Sequence, residues 1–234
     1  MHFPVYVFLA AAAIWSSLRR KLTPLGSMTG FIVGALVFAA TGAVGLTMLA
    51  VFFAAGTLAT SIGKVKKQQL AVAEGDNGRR TAGQVLANGG VAALCGGIAL
   101  AMPDQQATML LMVAGSLASA TADTLSSELG TLHGKRFYNI LSFKKDIRGA
   151  DGVVSLEGTL IGVAGASLIA LIYACKAGFD SNVIRIIIAG TLGNMTDSIL
   201  GAALERKHKI GNNLVNFLNT LSGALFCWLL SRLL

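Results

Sequence analysis

Charge is what this chain has least of. Only 13% of its 234 residues are Asp, Glu, Lys or Arg, while 54% are hydrophobic. Soluble domains carry about 25% charged residues. With a mean hydropathy of +0.67, the chain reads instead as a polytopic membrane protein. Cysteine and histidine are scarce too, three of each. Cys95, Cys175 and Cys227 stand singly in apolar segments, so no disulfide framework or thiolate metal cluster is encoded, and packing is their expected role. His2, His133 and His208 are scattered and read as surface residues. There is no HExxH, no CxxC and no Walker P-loop: GTLHGKR, Gly130 to Arg136, has the wrong spacing and no hydroxyl after its lysine. No basic residue precedes the first apolar run; Arg19, Arg20 and Lys21 follow it, the reverse of a cleavable signal peptide. The net charge of +8 does not point to nucleic acid, because the basic residues lie in connections between apolar runs.

What the chain does have is apolar runs long enough to cross a bilayer, which takes about 20 residues. Eight are read, at 3–18, 28–44, 46–62, 83–102, 106–125, 153–175, 182–203 and 214–233. Only TGAVGL separates the second from the third, so these two should form a tight helical hairpin. The expected fold is an all-α transmembrane bundle occupying 1–234 as one domain, with 1–62 as flanking helices and 78–220 bearing the motifs. AGSLASATADT (Ala114 to Thr124) and AGTLGNMTDS (Ala189 to Ser198) align with one gap and suggest a parallel internal repeat.

Basic residues alternate between connections. They fall at Arg19, Arg20 and Lys21; at Lys64, Lys66, Lys67, Arg79 and Arg80; at Lys135, Arg136, Lys144, Lys145 and Arg148; and at Arg206, Lys207 and Lys209. Of the other connections only one carries a basic residue, Lys176. The positive-inside rule then places these four loops in the cytoplasm and both termini outside, in the inner membrane if the cell is bacterial. With that orientation, five spans bring polar residues to the cytoplasmic leaflet, and the outward halves of the fourth to eighth spans are nearly bare. One site just below the cytoplasmic surface is expected.

Two strings define it, ATADTLSSELG (Ala120 to Gly130) and GNMTDSILGA (Gly193 to Ala202). Each carries a carboxylate, Asp123 or Asp197, in a run apolar enough to span. An acid at that depth costs about 2.5–3.5 kcal/mol on insertion scales, so such groups pair, bind ions or do chemistry. A structural hydrogen bond or ion pair is one reading; a cation or proton site is the other. Carboxylates beside hydroxyls, with Glu128 and Asn194 near, suit a hard cation such as Mg²⁺. Asp123 and Glu128 do not share a face of a regular helix, so their convergence would need the helix to end or unwind before Gly130.

Helical spacing groups further candidates, since i, i+3, i+4 and i+7 share a face. Arg80, Gln84 and Asn88 form one stripe, and Gly190, Asn194, Asp197 and Gly201 a second with Ser198 beside it. Asp151, Ser155, Gly158 and Gly162 form a third, with Glu157 in the same turn, and Asn212, Asn216 and Asn219 a fourth. The asparagines also fit as interhelical glue. Arg148 precedes a glycine turn, Gly149 to Gly152, that leads into the sixth span. Turn amides and helix N-termini bind phosphate, and an adjacent arginine strengthens that site. Lys144 and Lys145 are weaker candidates for the same contact. The intervening FYNILSFKKDIRGADG reads as a short amphipathic segment at the interface.

The blocks GRRTAGQVLANGG (Gly78 to Gly90), ATADTLSSELG, GADGVVSLEGT (Gly149 to Thr159), TDSILGA (Thr196 to Ala202) and NNLVNFLNT (Asn212 to Thr220) resemble, in order, those of one integral membrane family. That family was long catalogued as a domain of unknown function. It includes transmembrane protein 19 of animals and the phytyl-phosphate kinase of plants and cyanobacteria. Asp151, Glu157 and GNMTDS depart from its usual pattern. A more distant likeness joins ADTLSSELG and VSLEGT to CTP-dependent polyprenol kinases, with Ser155 where those carry lysine.

The resemblance implies a membrane-embedded kinase that moves a phosphoryl group from CTP, or ATP, to a prenyl phosphate at the cytoplasmic leaflet. Mg²⁺ would be held by Asp123 and Asp197, with Glu128 assisting or orienting the acceptor. Arg80, Arg148 and the amides at Gly149 and Gly152 would grip phosphates, and Asn88, Asn216 and Asn219 would bond the head group or nucleotide. A prenol kinase or a cytidylyltransferase would share the site. A transporter or lipid flippase is the alternative of another class, since glycine-rich helices and embedded acids mark transporters as well.

Overall fold

A computed structural model describes residues 2–62 and 79–233. Lys64, Lys66, Lys67 and Gly78 lie outside the described residues. The architecture is all-α apart from one small ribbon. The helices are α1 (Phe3–Leu18), α2 (Pro24–Ser61), α3 (Ala82–Ala101), α4 (Gln106–His133), α5 (Leu156–Ala177), α6 (Ser181–Leu200) and α7 (Asn212–Leu233). Six of the helical segments are long and apolar enough to cross a membrane; α1, with 16 residues, is shorter.

As one rod, the 38 residues of α2 would reach about 57 Å, nearly twice the ~30 Å hydrocarbon core. The helix breaks instead at Gly42, where φ is +68°, a conformation that only glycine adopts without strain. The chain folds back on itself there: a methyl on Gly34 would lie 3.9 Å from Leu49 Cδ2, and one on Gly45 would lie 3.1 Å from Val37 Cγ1. Such contacts are out of reach along a straight helix. The hairpin read from TGAVGL is present, inside a single long helical segment.

At the centre stands α4, packed on α2, α3, α5, α6 and α7. Its residues Val113 to Ala122 are buried without a break. A helix apolar on all sides belongs in the middle of a bundle, and the small side chains of AGSLASATA let five neighbours approach. Polar side chains then tie the helices together. Ser119 donates to Asn219 of α7, and Thr220 donates to the Ala87 carbonyl of α3 (3.1 Å).

Three local expectations need amendment. The helix does not unwind after Asp123; α4 runs on to His133. FYNILSFKKDIRGADG is not an amphipathic helix. Its start pairs with the two residues that follow it, β1 (Tyr138–Asn139) with β2 (Val153–Val154), as an antiparallel ribbon. Between them Asn139 Oδ1 accepts from the amides of Leu141 (3.0 Å) and Ser142 (3.1 Å), a local bond that competes with helix formation. The half of α6 expected to face outward is not bare either, since Arg185 lies there and donates to Asn182 (2.7 Å).

Candidate functional site

The polar ends of the helices meet at one end of the bundle, around a cavity of about 580 Å³. Its first wall is built by a backbone splice. The Arg80 amide donates to the Lys21 carbonyl (2.9 Å), and the Thr23 amide to the Arg80 carbonyl (3.0 Å). This brings Lys21, Arg79 and Arg80 together although fifty-odd residues part them in sequence. The Arg80 guanidinium lies over the rings of Phe52 (5.5 Å) and Phe53 (5.8 Å), where cation–π attraction fixes its plane. It fits there because residue 56 is glycine; a methyl at that position would run into the guanidinium.

The α3 end supplies Gln84 and Asn88. Gln84 lines the cavity and also closes a capping box, accepting from the Thr81 amide (2.8 Å) while its own amide donates to Thr81 Oγ1 (3.3 Å). Asn88 donates to the Gln84 carbonyl (3.0 Å), and its buried Oδ1 has no hydrogen-bond partner.

The acids come from α4 and α6. Asp123 and Glu128 both line the cavity from α4. They do so from a continuous helix, because the cavity wraps around it: Glu128 accepts from Thr60 of α2 (3.2 Å), while Asp123 lies beside Asp197 of α6. Asn219 and Glu205 are the next groups near the Asp197 carboxyl. Asn194 accepts from Ser126 (3.2 Å), and Ser198 donates to the Asn194 carbonyl (3.3 Å).

The rim comes from Gly149 to Gly152, with φ of +77° at Gly149 and +72° at Gly152, and from Ser155, Gly158 and Asn216. Ser155 caps α5 by accepting from the Gly158 amide (3.1 Å). Asn216 donates to Asn212 (3.1 Å).

Five sequence candidates do not line the cavity, Lys144 and Lys145 among them. Arg148 donates to the Gly134 carbonyl (2.8 Å) and stacks on Phe137 (4.8 Å). Glu157 turns to the Lys135 amide (3.4 Å). Asn219 is fully buried behind the wall, bonded to Ser119. Other lining residues escaped the sequence reading, among them Lys21, Thr57, Thr60, Ser61 and Glu205. The TLATS string at the end of α2 is the one signal that marked any of them, since it sets hydroxyls three and four apart.

Asp123 and Glu205 bring carboxylate oxygens to Asp197, the ligands a hard cation takes. Asp197 Oδ2 is buried and has no hydrogen-bond partner, so its capacity to accept is unspent. Among the described residues no three His, Cys, Asp or Glu side chains are arranged to hold one ion between them. Mg²⁺ does not need three, because it binds through one or two carboxylates and keeps several waters.

Comparison with known proteins matches residues 7–224 to the integral membrane protein DUF92 family. The chain belongs to that family. Among its relatives, the Synechocystis membrane protein sll0875 is 32% identical over 92% of this chain and 84% of its own length. The membrane protein MJ0933 of Methanocaldococcus jannaschii is 32% identical over 95% and 91%. The chloroplast protein VTE6 of Arabidopsis thaliana is 29% identical over 90% of this chain and 66% of its own length. No solved structure matches. DUF92 membership brings the five sequence blocks under one heading, and all five contribute residues to the same cavity.

Proposed function

We propose that this DUF92 protein is a membrane-embedded, nucleotide-dependent prenyl-phosphate kinase. It transfers the γ-phosphoryl group of CTP, the donor favoured by the polyprenol-kinase likeness, to an isoprenoid monophosphate. One observation carries the reading: an acid pair and a basic wall share a cavity at one end of an apolar bundle. A volume near 580 Å³ falls within the ~300–1,000 Å³ range of ligand sites. The resemblance to phytyl-phosphate kinases supplies the substrate class.

In this reading the α2 hairpin and α1 bring the crossings to eight. Both termini lie outside and the cavity opens to the cytoplasm. A charged donor then arrives from water while the acceptor's tail stays in lipid. Phosphoryl transfer asks the protein mainly for positioning and charge neutralisation. Lys21, Arg79 and Arg80 hold phosphates, aided by the amides of the Gly149–Gly152 turn. Asn88 and Asn216 bond the nucleotide or head group. Asp123 and Asp197 are the residues that would hold Mg²⁺, which would supply positive charge to offset that of the phosphates. An acceptor phosphate oxygen attacks the γ-phosphorus as the bond to the β-bridging oxygen breaks, and a nucleoside diphosphate leaves. That acceptor oxygen is already ionised, so no general base is required; Glu128 would assist Asp123 and Asp197 at the cation.

A transporter would need a polar path to the far face. On α6, buried Ile186, Ala189 and Gly190 separate Arg185 from Asn194, and Val113 to Ala122 of α4 are buried at the same levels. This favours the kinase.

The test uses purified protein in detergent with γ-labelled CTP or ATP, Mg²⁺ and a panel of prenols and prenyl phosphates. Labelled diphosphate should form from long-chain monophosphates. Each buried CH₂ contributes up to about 0.8 kcal/mol, so isopentenyl phosphate should be a poor acceptor. Nucleotide-independent solute flux in liposomes, without labelled product across the panel, would replace this reading with the transporter.

A further inference from the structure

Helix α6 does not end at Leu200. It widens into a π turn over Gly201–Glu205, with the Arg206 amide donating five residues back to the Gly201 carbonyl (3.0 Å). Such turns recur at functional sites because they re-aim the side chains that follow. In an unbroken α-helix Glu205 would stand about 80° around the axis from Asp197, at 3.6 residues per turn. A wider turn winds less per residue and takes back part of that angle. Glu205 accordingly lines the cavity and faces Asp197.

The turn is held in register from outside. Gly152 packs on Ala202 so tightly that a methyl on Gly152 would collide with it, and a methyl on Gly201 would lie 3.0 Å from the Gly152 nitrogen. Arg206, the next residue in the chain, is committed to Asp146 (3.1 Å for the longer of two bonds). The glycine turn and the ion pair thus brace the segment that carries Glu205.

Asp123 and Glu205 thus both act on the Asp197 carboxyl, and like charges repel. Asp197 Oδ2 is sealed and unbonded. We propose that Glu205 is a positioning residue of a divalent-cation site, holding a cation-bound water while Asp123 and Asp197 supply the direct oxygens. The inference deepens the kinase reading and rests on its assignment of the metal to Asp123 and Asp197. Cation binding is nevertheless testable with neither nucleotide nor lipid present.

The experiment titrates Mn²⁺ into the purified full chain in detergent and follows the free ion by its paramagnetic resonance signal. Wild type should bind Mn²⁺, and Asp197→Asn should abolish binding. Glu205→Gln should weaken it 10- to 100-fold, the usual effect of losing an outer-shell partner, with unchanged elution and melting. Glu205→Asp should restore part of the loss. Asp104→Asn, exposed in the turn between α3 and α4, should match wild type. Wild-type Mn²⁺ affinity in Glu205→Gln, with binding still lost in Asp197→Asn, would overturn the role of Glu205 and leave the metal reading standing. A wild-type protein that binds no Mn²⁺ would overturn both.

Discussion

Gly130→Ala is the most economical test of how the site is held. Gly130 of α4 faces Gly158 of α5 at the cavity rim, and an added methyl would sit 2.6 Å from Gly158 Cα. Ordinary contact begins at 3.4 Å, so the two helices must part by about 0.8 Å. The contacted atom is backbone, and the Gly158 amide is already committed to the Ser155 cap, so no side-chain rotation relieves the clash. Overpacking of this kind costs about 1–3 kcal/mol. Alanine's better helix propensity returns up to about 1 kcal/mol, which leaves a net loss near 1 kcal/mol. Activity should suffer more. Displacement of close to 1 Å at reacting groups lowers rates by up to about a hundredfold, and α4 carries both Asp123 and Glu128. We expect a ten- to hundredfold fall in labelled diphosphate formed per minute, with a modestly lower melting temperature in detergent. Gly97→Ala, where an added methyl meets nothing within 4 Å, is the control and should be neutral or slightly stabilising. Wild-type turnover in Gly130→Ala, at a stability equal to that of Gly97→Ala, would refute the close approach of α4 and α5.

Asp123→Asn and Asp197→Asn should each abolish turnover in a protein that still elutes as a single species; near-normal activity in either would remove that residue from the metal site. For topology, a cysteine at 145 in a cysteine-free background should react with an impermeant reagent only after the cells are opened, and labelling in intact cells would reverse the orientation. The Arg206 guanidinium beside Asp146, helped by the Ile147 amide, holds the Asp146 carboxyl well below the usual carboxylate range. Because the folded-state value is depressed, the stabilisation is complete above the unfolded value near pH 4 and disappears as pH falls through the folded one. The melting-temperature advantage of wild type over Asp146→Asn should therefore shrink from about pH 4 downward, and a constant advantage from pH 7 to pH 3 would discount the pair.

Apolar run length against bilayer thickness is enough to read the helices from the sequence, and TGAVGL marks the hairpin because it shortens an otherwise impossible rod. Asp123 and Asp197, which line the cavity, were legible as candidates because a carboxylate in an apolar run demands a partner or a ligand. Their juxtaposition was not legible. It depends on α4 being buried between α5, α6 and α7, a packing relation that no local period encodes. Lys21, Thr60 and Ser61 were hidden because their segments looked like flanking structure; the Lys21–Arg80 backbone splice and the fold-back at Gly42 bring them to the cavity. Arg148 and Glu157 had the right types at the right spacing, yet nearby backbone groups, the Gly134 carbonyl and the Lys135 amide, captured their side chains. Glu205 was missed because a regular 100° step turns it away from Asp197, and only the π turn braced by Gly152 turns it back. Periodicity is a property of one helix and is written in its residues. A site shared by six helices depends on close approaches between them, and those are set by how neighbouring surfaces fit.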